Sequence, residues 1–210
     1  MLWDLDGTLV DSRDYHWRSW QGVLEAEAVP ITEADFLASF GQRNDAILGA
    51  WLGPGATPER IRRIGEAKEA LYRELLAAEG IGPLEGAAEW VRLLNAVGWR
   101  QAIASSAPRL NVEAVVRALE FIGVIDAVVA AEDVHAGKPD PEVFLTAAAR
   151  LGVPPARCVV VEDAAAGIEA ARRAGMRSIG VGGAALAAAD VVVESLGALP
   201  PDTFDRLLRA

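Results

Sequence analysis

Six short apolar runs punctuate the chain: Leu2–Asp6, Gln101–Ser105, Ala127–Ala131, Cys158–Glu162, Ser178–Val181 and Val191–Val193. Runs of this length predict strands buried on both faces. Between them, apolar positions recur at helical spacing, which predicts helices over Glu85–Val97, Leu110–Leu119, Pro141–Leu151 and Ala164–Ala174. Gly175 stands where a left-handed C′ residue would close the last of these. Strand and helix in alternation imply crossover units, hence an α/β, Rossmann-like parallel sheet covered on both faces. Ligands of such sheets lie beyond the carboxyl ends of the strands.

Residues 12–81 break the alternation. Helical segments begin near Tyr15, Thr32, Arg43 and Thr57 with no strand among them; Gly53, Pro54 and Gly55 punctuate the stretch, and Gly80, Gly82 and Pro83 mark its end. The pattern predicts a helical domain inserted into a core made of residues 1–11 and 82–210. The alanine-rich run Ala184–Ala189 reads as the start of a surface connection.

Composition narrows the classes. With 210 residues, 52% of them hydrophobic, the chain can bury a sizeable core. A formal charge of −10 disfavours nucleic acid and anionic lipid as partners, so an anionic small molecule would need a locally positive pocket. The single cysteine, Cys158, excludes an internal disulfide and, inside an apolar run, reads as a buried structural thiol. No stretch reaches the roughly 20 apolar residues of a membrane span, and no leader is signalled, so the expectation is a cytoplasmic, monomeric protein. Only Met1, Leu2 and Trp3 precede the first acid, so the first strand is either unusually short or lacks residues at its start.

Four segments carry candidate chemistry. Asp4-Leu5-Asp6-Gly7-Thr8 places two acids two residues apart at a strand end, where their repulsion calls for a cation; a solvated turn is the ordinary alternative. Ala104-Ser105-Ser106-Ala107-Pro108 leads from strand to helix, where hydroxyl and N–H groups could cradle a phosphate or Ser105 could simply cap. Lys138, in Gly137-Lys138-Pro139-Asp140-Pro141, is either a phosphate-binding cation or a solvated loop lysine. Val159-Val160-Val161-Glu162-Asp163 ends another strand in two acids, of which Asp163 could equally cap the next helix. Acids, hydroxyl, lysine and acids at the ends of separate strands form one constellation that chance does not readily assemble.

These segments, in this order, resemble the four motifs of the haloacid dehalogenase superfamily, and the helical insertion is similar to the small cap of its β-phosphoglucomutase-like subfamily. The resemblance implies Asp4 as the nucleophile that forms an aspartyl phosphate and Asp6 as general acid and base. Ser105, Ser106 and Lys138 would hold the phosphoryl oxygens. Mg²⁺ would be held by Asp4, the Asp6 backbone carbonyl and Asp163, with Glu162 in or near the shell. Asp6 also favours phosphate esters over halides, since halide needs no proton on leaving.

In the insertion, His16 shares a helix face with Trp20 and Val23, Arg43 with Ile47, and Lys68 with Ile61, Ile64, Leu71 and Leu75. Burying Lys68 or Arg43 in a helical core is costly, which points both toward a cleft, although their stems could also snorkel along an apolar face. His16 reads equally as a structural or a working histidine. Asp14–Trp20 and Phe40–Asn44 resemble segments of the subfamily's cap, which implies that His16 couples closure to Asp6, and that Arg43 and Lys68, with Trp20 nearby, receive a substrate whose far end is anionic or strongly polar. The serine, lysine and asparagine that hold a distal phosphate in the mutases are replaced here by Ser106, Ala107, Pro108 and Arg109. Arg109 is the one candidate substitute. The departure places a phosphatase acting on a small phosphate ester ahead of a mutase.

Two other classes compete. A receiver domain also uses an aspartyl phosphate, Mg²⁺, a hydroxyl and a lysine, but has neither a first-strand nucleophile nor a helical insertion. Gly180-Val181-Gly182-Gly183-Ala184-Ala185 faintly matches a dinucleotide fingerprint, late in the chain and without a nucleotide-binding unit around it.

Overall fold

The computed structural model describes residues 1–183 and 186–209. The chain divides into two compact units, Met1–Asp11 with Gly82–Ala210, and Ser12–Ile81.

The first unit is a six-stranded sheet, β1 (Leu2–Trp3), β2 (Ala102–Ala104), β3 (Ala127–Val129), β4 (Val159–Glu162), β5 (Arg177–Val181) and β6 (Val191–Val193), in the order β3-β2-β1-β4-β5-β6. Every neighbouring pair is parallel. The strands are shorter than the apolar runs because pairing ends before the apolar residues do: Ser105 and Ala130–Ala131 lie beyond their ladders. β1 is the extreme case, two residues paired on both sides.

Alternate positions of these strands face opposite ways, and both faces are buried. Leu2, Ala102, Ala104, Val129 and Val160 pack on one side with Val143, Phe144, Ala147, Ala148 and Leu151, and with Ala170, Ala171 and Met176. On the other side the Trp3 indole donates to Gln101 Oε1 at 2.9 Å, and the Gln101 amide donates to the Val91 carbonyl at 2.8 Å. Cys158 is buried, with Sγ against the Pro154 carbonyl.

The second unit is helical: α1 (Arg13–Ala26), α2 (Glu33–Ser39), α3 (Asn44–Leu52) and α4 (Pro58–Glu79). Thr32 and Thr57 cap α2 and α4 by accepting from the N3 backbone, Pro58 takes the first position of α4, and Gly80 closes it at φ +75°. Trp20, Leu24, Phe36, Ile47, Leu48 and Ile64 form its core. Helices α5 (Ala87–Ala96), α6 (Arg109–Ala118), α7 (Glu142–Leu151), α8 (Ala165–Arg173) and α9 (Thr203–Arg209) belong to the sheet unit. Among the described residues no helix is long and apolar enough to cross a membrane. In the glycine-rich run, Gly180 and Val181 belong to β5, and residues 184 and 185 lie outside the described residues.

Candidate active site

The strand order reverses direction at β1, which lies between β2 and β4. That is the switch point at which parallel sheets open a crevice. Trp3 pairs with Ile103 on one side and Val161 on the other, so Asp4 comes level with Ala104 and with Glu162, the last residue of β4, and Ser105 follows one residue further along. The Asp4 N–H still donates to the Val161 carbonyl at 2.9 Å, which fixes the acid at the end of the ladder.

After Asp4 the chain folds back on itself. Gly7 donates to the Val10 carbonyl at 2.8 Å, and Asp6 forms a single bridge with Val10. Gly7 sits at φ +86°, and a Cβ there would stand 2.0 Å from Asp163 Oδ2. Only glycine satisfies both constraints. The turn also buries Thr8, whose hydroxyl lies 3.5 Å from Asp163 Oδ1.

Lys138 is no solvated loop residue. Its side chain is 6% exposed, and Nζ donates to Asp4 Oδ1 at 2.5 Å and to Glu162 Oε2 at 2.8 Å. Glu142, at the start of α7, holds the loop that carries it by accepting from the backbone N–H groups of His135 and Ala136. Glu162 Oε1 accepts from Ala164 N–H at 3.2 Å, so both oxygens of this fully buried acid are used. Gly167 makes room for it: a Cβ there would stand 2.1 Å from the Glu162 carboxyl carbon.

The two capping alternatives fall away. Ala164, not Asp163, occupies the N-cap of α8, and Pro108, not Ser105, that of α6. The buried Ser105 hydroxyl instead accepts from the Ala107 N–H at 3.0 Å, within the loop, and Ser106 beside it is half-buried.

Burial dominates the electrostatics. It lifts the Asp4 carboxyl above its ordinary range against the pull of Lys138. Burial, and after it the charge of Asp4, pushes Glu162 up to about 8 and Asp163 up to about 7. Burial opposes charge on Lys138 too, but Asp4 and Glu162 outweigh it and hold the ammonium above its usual value.

Asp4, Glu162 and Asp163 each bring one carboxylate oxygen within 4.8 Å of the others. Lys138 is the ammonium in contact with two of them. Three acids against this one cation form a charge set that a divalent ion would complete, and an all-oxygen donor set suits a hard cation such as Mg²⁺. The Asp6 carboxylate is not one of the three.

Three of the remaining candidates, two in the helical unit and one in the sheet unit, are engaged by close neighbours. Lys68 is buried, at 2% exposed, because Glu69 beside it compensates the charge: Nζ donates to Glu69 Oε1 at 2.8 Å. Trp20 is a core side chain, edge-on to Trp51 and lying under the Lys68 ammonium. Arg109, in the sheet unit, is committed to Asp133, which also accepts from Arg150 and the Ala130 N–H. His16 is half-buried, stacked on Tyr72 with centroids 4.4 Å apart, and its Nδ1 lies 2.7 Å from Lys68 Nζ. Arg43 stands at the N-cap position of α3, with Nε 3.5 Å from Asp45 Oδ1.

Comparison with known proteins supplies the context for this geometry. A model of the haloacid dehalogenase-like hydrolases matches residues 1–175. Among curated proteins, β-phosphoglucomutase of Bacillus subtilis is 32% identical over 203 residues, covering 92% of this chain and 88% of that protein. Hexitol phosphatase B of Escherichia coli K12 is 32% identical over 182 residues, covering 85% and 81%. The crystal structure of a β-phosphoglucomutase from Clostridium difficile superposes with a TM-score of 0.90 at 26% identity, covering 99% of this chain and 96% of that one.

Proposed function

Within the haloacid dehalogenase-like hydrolases, the family of phosphoryl-transfer enzymes to which this chain belongs, we propose that it is an Mg²⁺-dependent phosphatase of a small phosphorylated metabolite, a sugar or polyol phosphate. Asp4 Oδ1 is held by Lys138, which leaves Oδ2 to attack phosphorus in line with the ester oxygen. The P–O ester bond breaks as the aspartyl phosphate forms, and Asp6 gives its proton to the departing alkoxide. Asp6 then takes a proton from water as the water oxygen attacks the same phosphorus. The acyl phosphate bond breaks, inorganic phosphate leaves, and Asp4 is a carboxylate again. Lys138 and the Ser105 hydroxyl, with Ser106 beside it, hold the equatorial oxygens in the orientation this displacement needs. Mg²⁺, held by Asp4, Asp163 and the Asp6 backbone carbonyl, would neutralise charge on the phosphoryl oxygens. Glu162, with both oxygens engaged, positions Lys138 rather than the ion.

One observation favours water over a sugar hydroxyl as acceptor. A mutase must hold a second phosphate while the first reacts, and Arg109, the one candidate for that task after Ser105, is committed to Asp133. The related hexitol phosphatase supports hydrolysis, as the related β-phosphoglucomutase supports the sugar-phosphate class.

The test is product analysis with Mg²⁺ and β-glucose 1-phosphate, primed with a little glucose 1,6-bisphosphate, following free phosphate and glucose 6-phosphate together, and repeated over a panel of sugar and polyol phosphates. Phosphate release without isomer is the expected result. Glucose 6-phosphate formed without phosphate release would establish a mutase instead.

A further inference from the structure

The chain segments that carry Ser105 and Lys138 leave the sheet at its edge. β3 is the edge strand, beside β2, and at the carboxyl end of their ladder the Ser105 N–H donates to the Val129 carbonyl at 3.0 Å. Beyond that bond the chain after β3 leaves the ladder, yet it must deliver Lys138 to Asp4. Asp133 fastens it there. Its side chain is 15% exposed, and the carboxylate accepts from the Ala130 N–H at 2.8 Å, from the guanidinium of Arg109 at the start of α6, and from Arg150 of α7, whose Nη2 lies 2.6 Å from Oδ1. Arg150 also donates to the Val128 carbonyl of the edge strand. Arg150 holds this carboxyl below its ordinary range against the opposing effect of burial, and the Ala130 N–H and the Arg109 charge add to its hold.

The neighbouring acid works on the same joint. Glu132 accepts from the Arg109 N–H, 3.1 Å from Oε1 and 2.9 Å from Oε2, which satisfies a donor at the start of α6 that has no helical carbonyl to take it. The Ala131 N–H donates to the Ala107 carbonyl at 3.0 Å. Residues 105–108 are thus held from the chain after β3, and the Ser105 hydroxyl, accepting from the Ala107 N–H, keeps its own proton for a phosphoryl oxygen. We propose that Asp133 is a positioning residue for phosphate recognition. By tying the start of α6 and the end of α7 to the chain after β3, it holds Ser105 and Lys138 at the separation that one phosphoryl group requires. The inference rests on the reading that phosphorus reacts at Asp4 with Ser105 and Lys138 on its oxygens. Asp133 acts through Arg109 and the backbone and touches no reacting atom.

Asp126 supplies the control, because it ties the same two strands at their opposite ends, accepting from Arg100 Nε at 2.8 Å and from the Gln101 N–H at 2.7 Å. With Mg²⁺ and the full chain, calorimetric titration with inorganic phosphate reads the site without turnover, and hydrolysis of a sugar phosphate reads the reaction. Asp133→Asn is expected to raise the Kd of phosphate about tenfold or more, the scale of one hydrogen bond to a charged group. It should lower kcat/KM on the order of 10²-fold, the cost of a displacement of about 1 Å. Asp126→Asn should leave both unchanged, whatever stability it loses. In a Ser105→Ala background the effect of Asp133→Asn on Kd should shrink, because one of the groups it positions is gone. Phosphate affinity unchanged by Asp133→Asn overturns the proposal. So does an equal loss in Asp126→Asn, or full additivity with Ser105→Ala, since either marks a merely structural role. If Asp133→Asn does not fold by circular dichroism, Arg150→Gln, which removes one of its donors, decides by the same titration: weakened phosphate binding supports the proposal and unchanged binding overturns it. A wild-type protein that binds phosphate but hydrolyses no ester would remove the phosphatase reading alone, and the Kd values still decide the role of Asp133. A wild-type protein that binds no phosphate overturns the proposal.

Discussion

Replacing Gly167 by alanine tests how the centre is assembled, because two effects of opposite sign compete there. Gly167 lies in the first turn of α8 without a positive φ, and an alanine at such a position ordinarily stabilises a helix by up to about 1 kcal/mol. Here the added Cβ would lie 2.1 Å from the Glu162 carboxyl carbon and 2.3 Å from Oε2. Glu162 is 1% exposed, so it cannot swing aside into solvent. Relieving the overlap means moving the buried carboxylate or the start of the helix, an overpacking cost of about 1–3 kcal/mol. Moving the carboxylate also weakens its bonds to Lys138 and Ala164 N–H, worth about 1–3 kcal/mol for a buried charged acceptor. The net expectation is a loss of about 2–4 kcal/mol, a sign opposite to helix propensity. Because Lys138 also grips Asp4, a shift of about 1 Å should lower phosphate release on the order of 10²-fold. Thermal denaturation and kcat measured together provide the assay. Gly49→Ala is the control, since a Cβ there meets nothing within 4 Å and should leave stability unchanged or raised. A Gly167→Ala protein as stable and as active as wild type would refute the packing argument.

Other consequences are simpler. Lys138→Met leaves Asp4 and Glu162 buried without their ammonium and should cost about 3–5 kcal/mol in metal-free buffer, read by denaturant titration, together with loss of turnover. Asp4→Asn should abolish phosphate release while far-ultraviolet circular dichroism is unchanged; retained turnover would remove Asp4 as nucleophile. Chelation by EDTA should stop turnover and added Mg²⁺ restore it; activity indifferent to chelation would remove the metal from the scheme. Glu142 is held down to about 2 by the Ala136 N–H first and by His135 next, below its unfolded value, so its contribution is complete above about pH 4.5 and is lost as pH falls toward 2. Stability curves of wild type and Glu142→Gln should therefore differ at neutral pH and converge across that window; a constant gap would locate the effect elsewhere.

The elements that set the centre were legible in the sequence for a physical reason. A strand buried on both faces must be apolar throughout, so an acid such as Asp4 or Glu162 can appear only where the strand ends. The motif thus marks both the element and its functional edge. Strand ends were less legible, since Ser105 and Ala131 are apolar-run residues whose fate depends on where the partner ladder stops. Thr8 and Gly7 stood in the first motif, yet what they touch, Asp163, comes from a segment 155 residues downstream of Thr8.

What the sequence hid was the pairing of charges. Lys68, Arg109 and Arg43 read as available cations because a one-dimensional pattern reports type and face, not distance. Asp133 reaches Arg109 only because the loop after β3 returns beside the start of α6, and Glu69 meets Lys68 inside the helical unit where Asn44 donates to it. Gly167 and Glu142 were invisible on the same grounds: a small residue in a helix and an acid in a first turn are ordinary until their neighbours are known. Among the candidate cations, Lys138 is the buried one that the structure sets against two buried acids, Asp4 and Glu162, and it is the one whose partners both lie at strand ends, where the sequence already marked an acid.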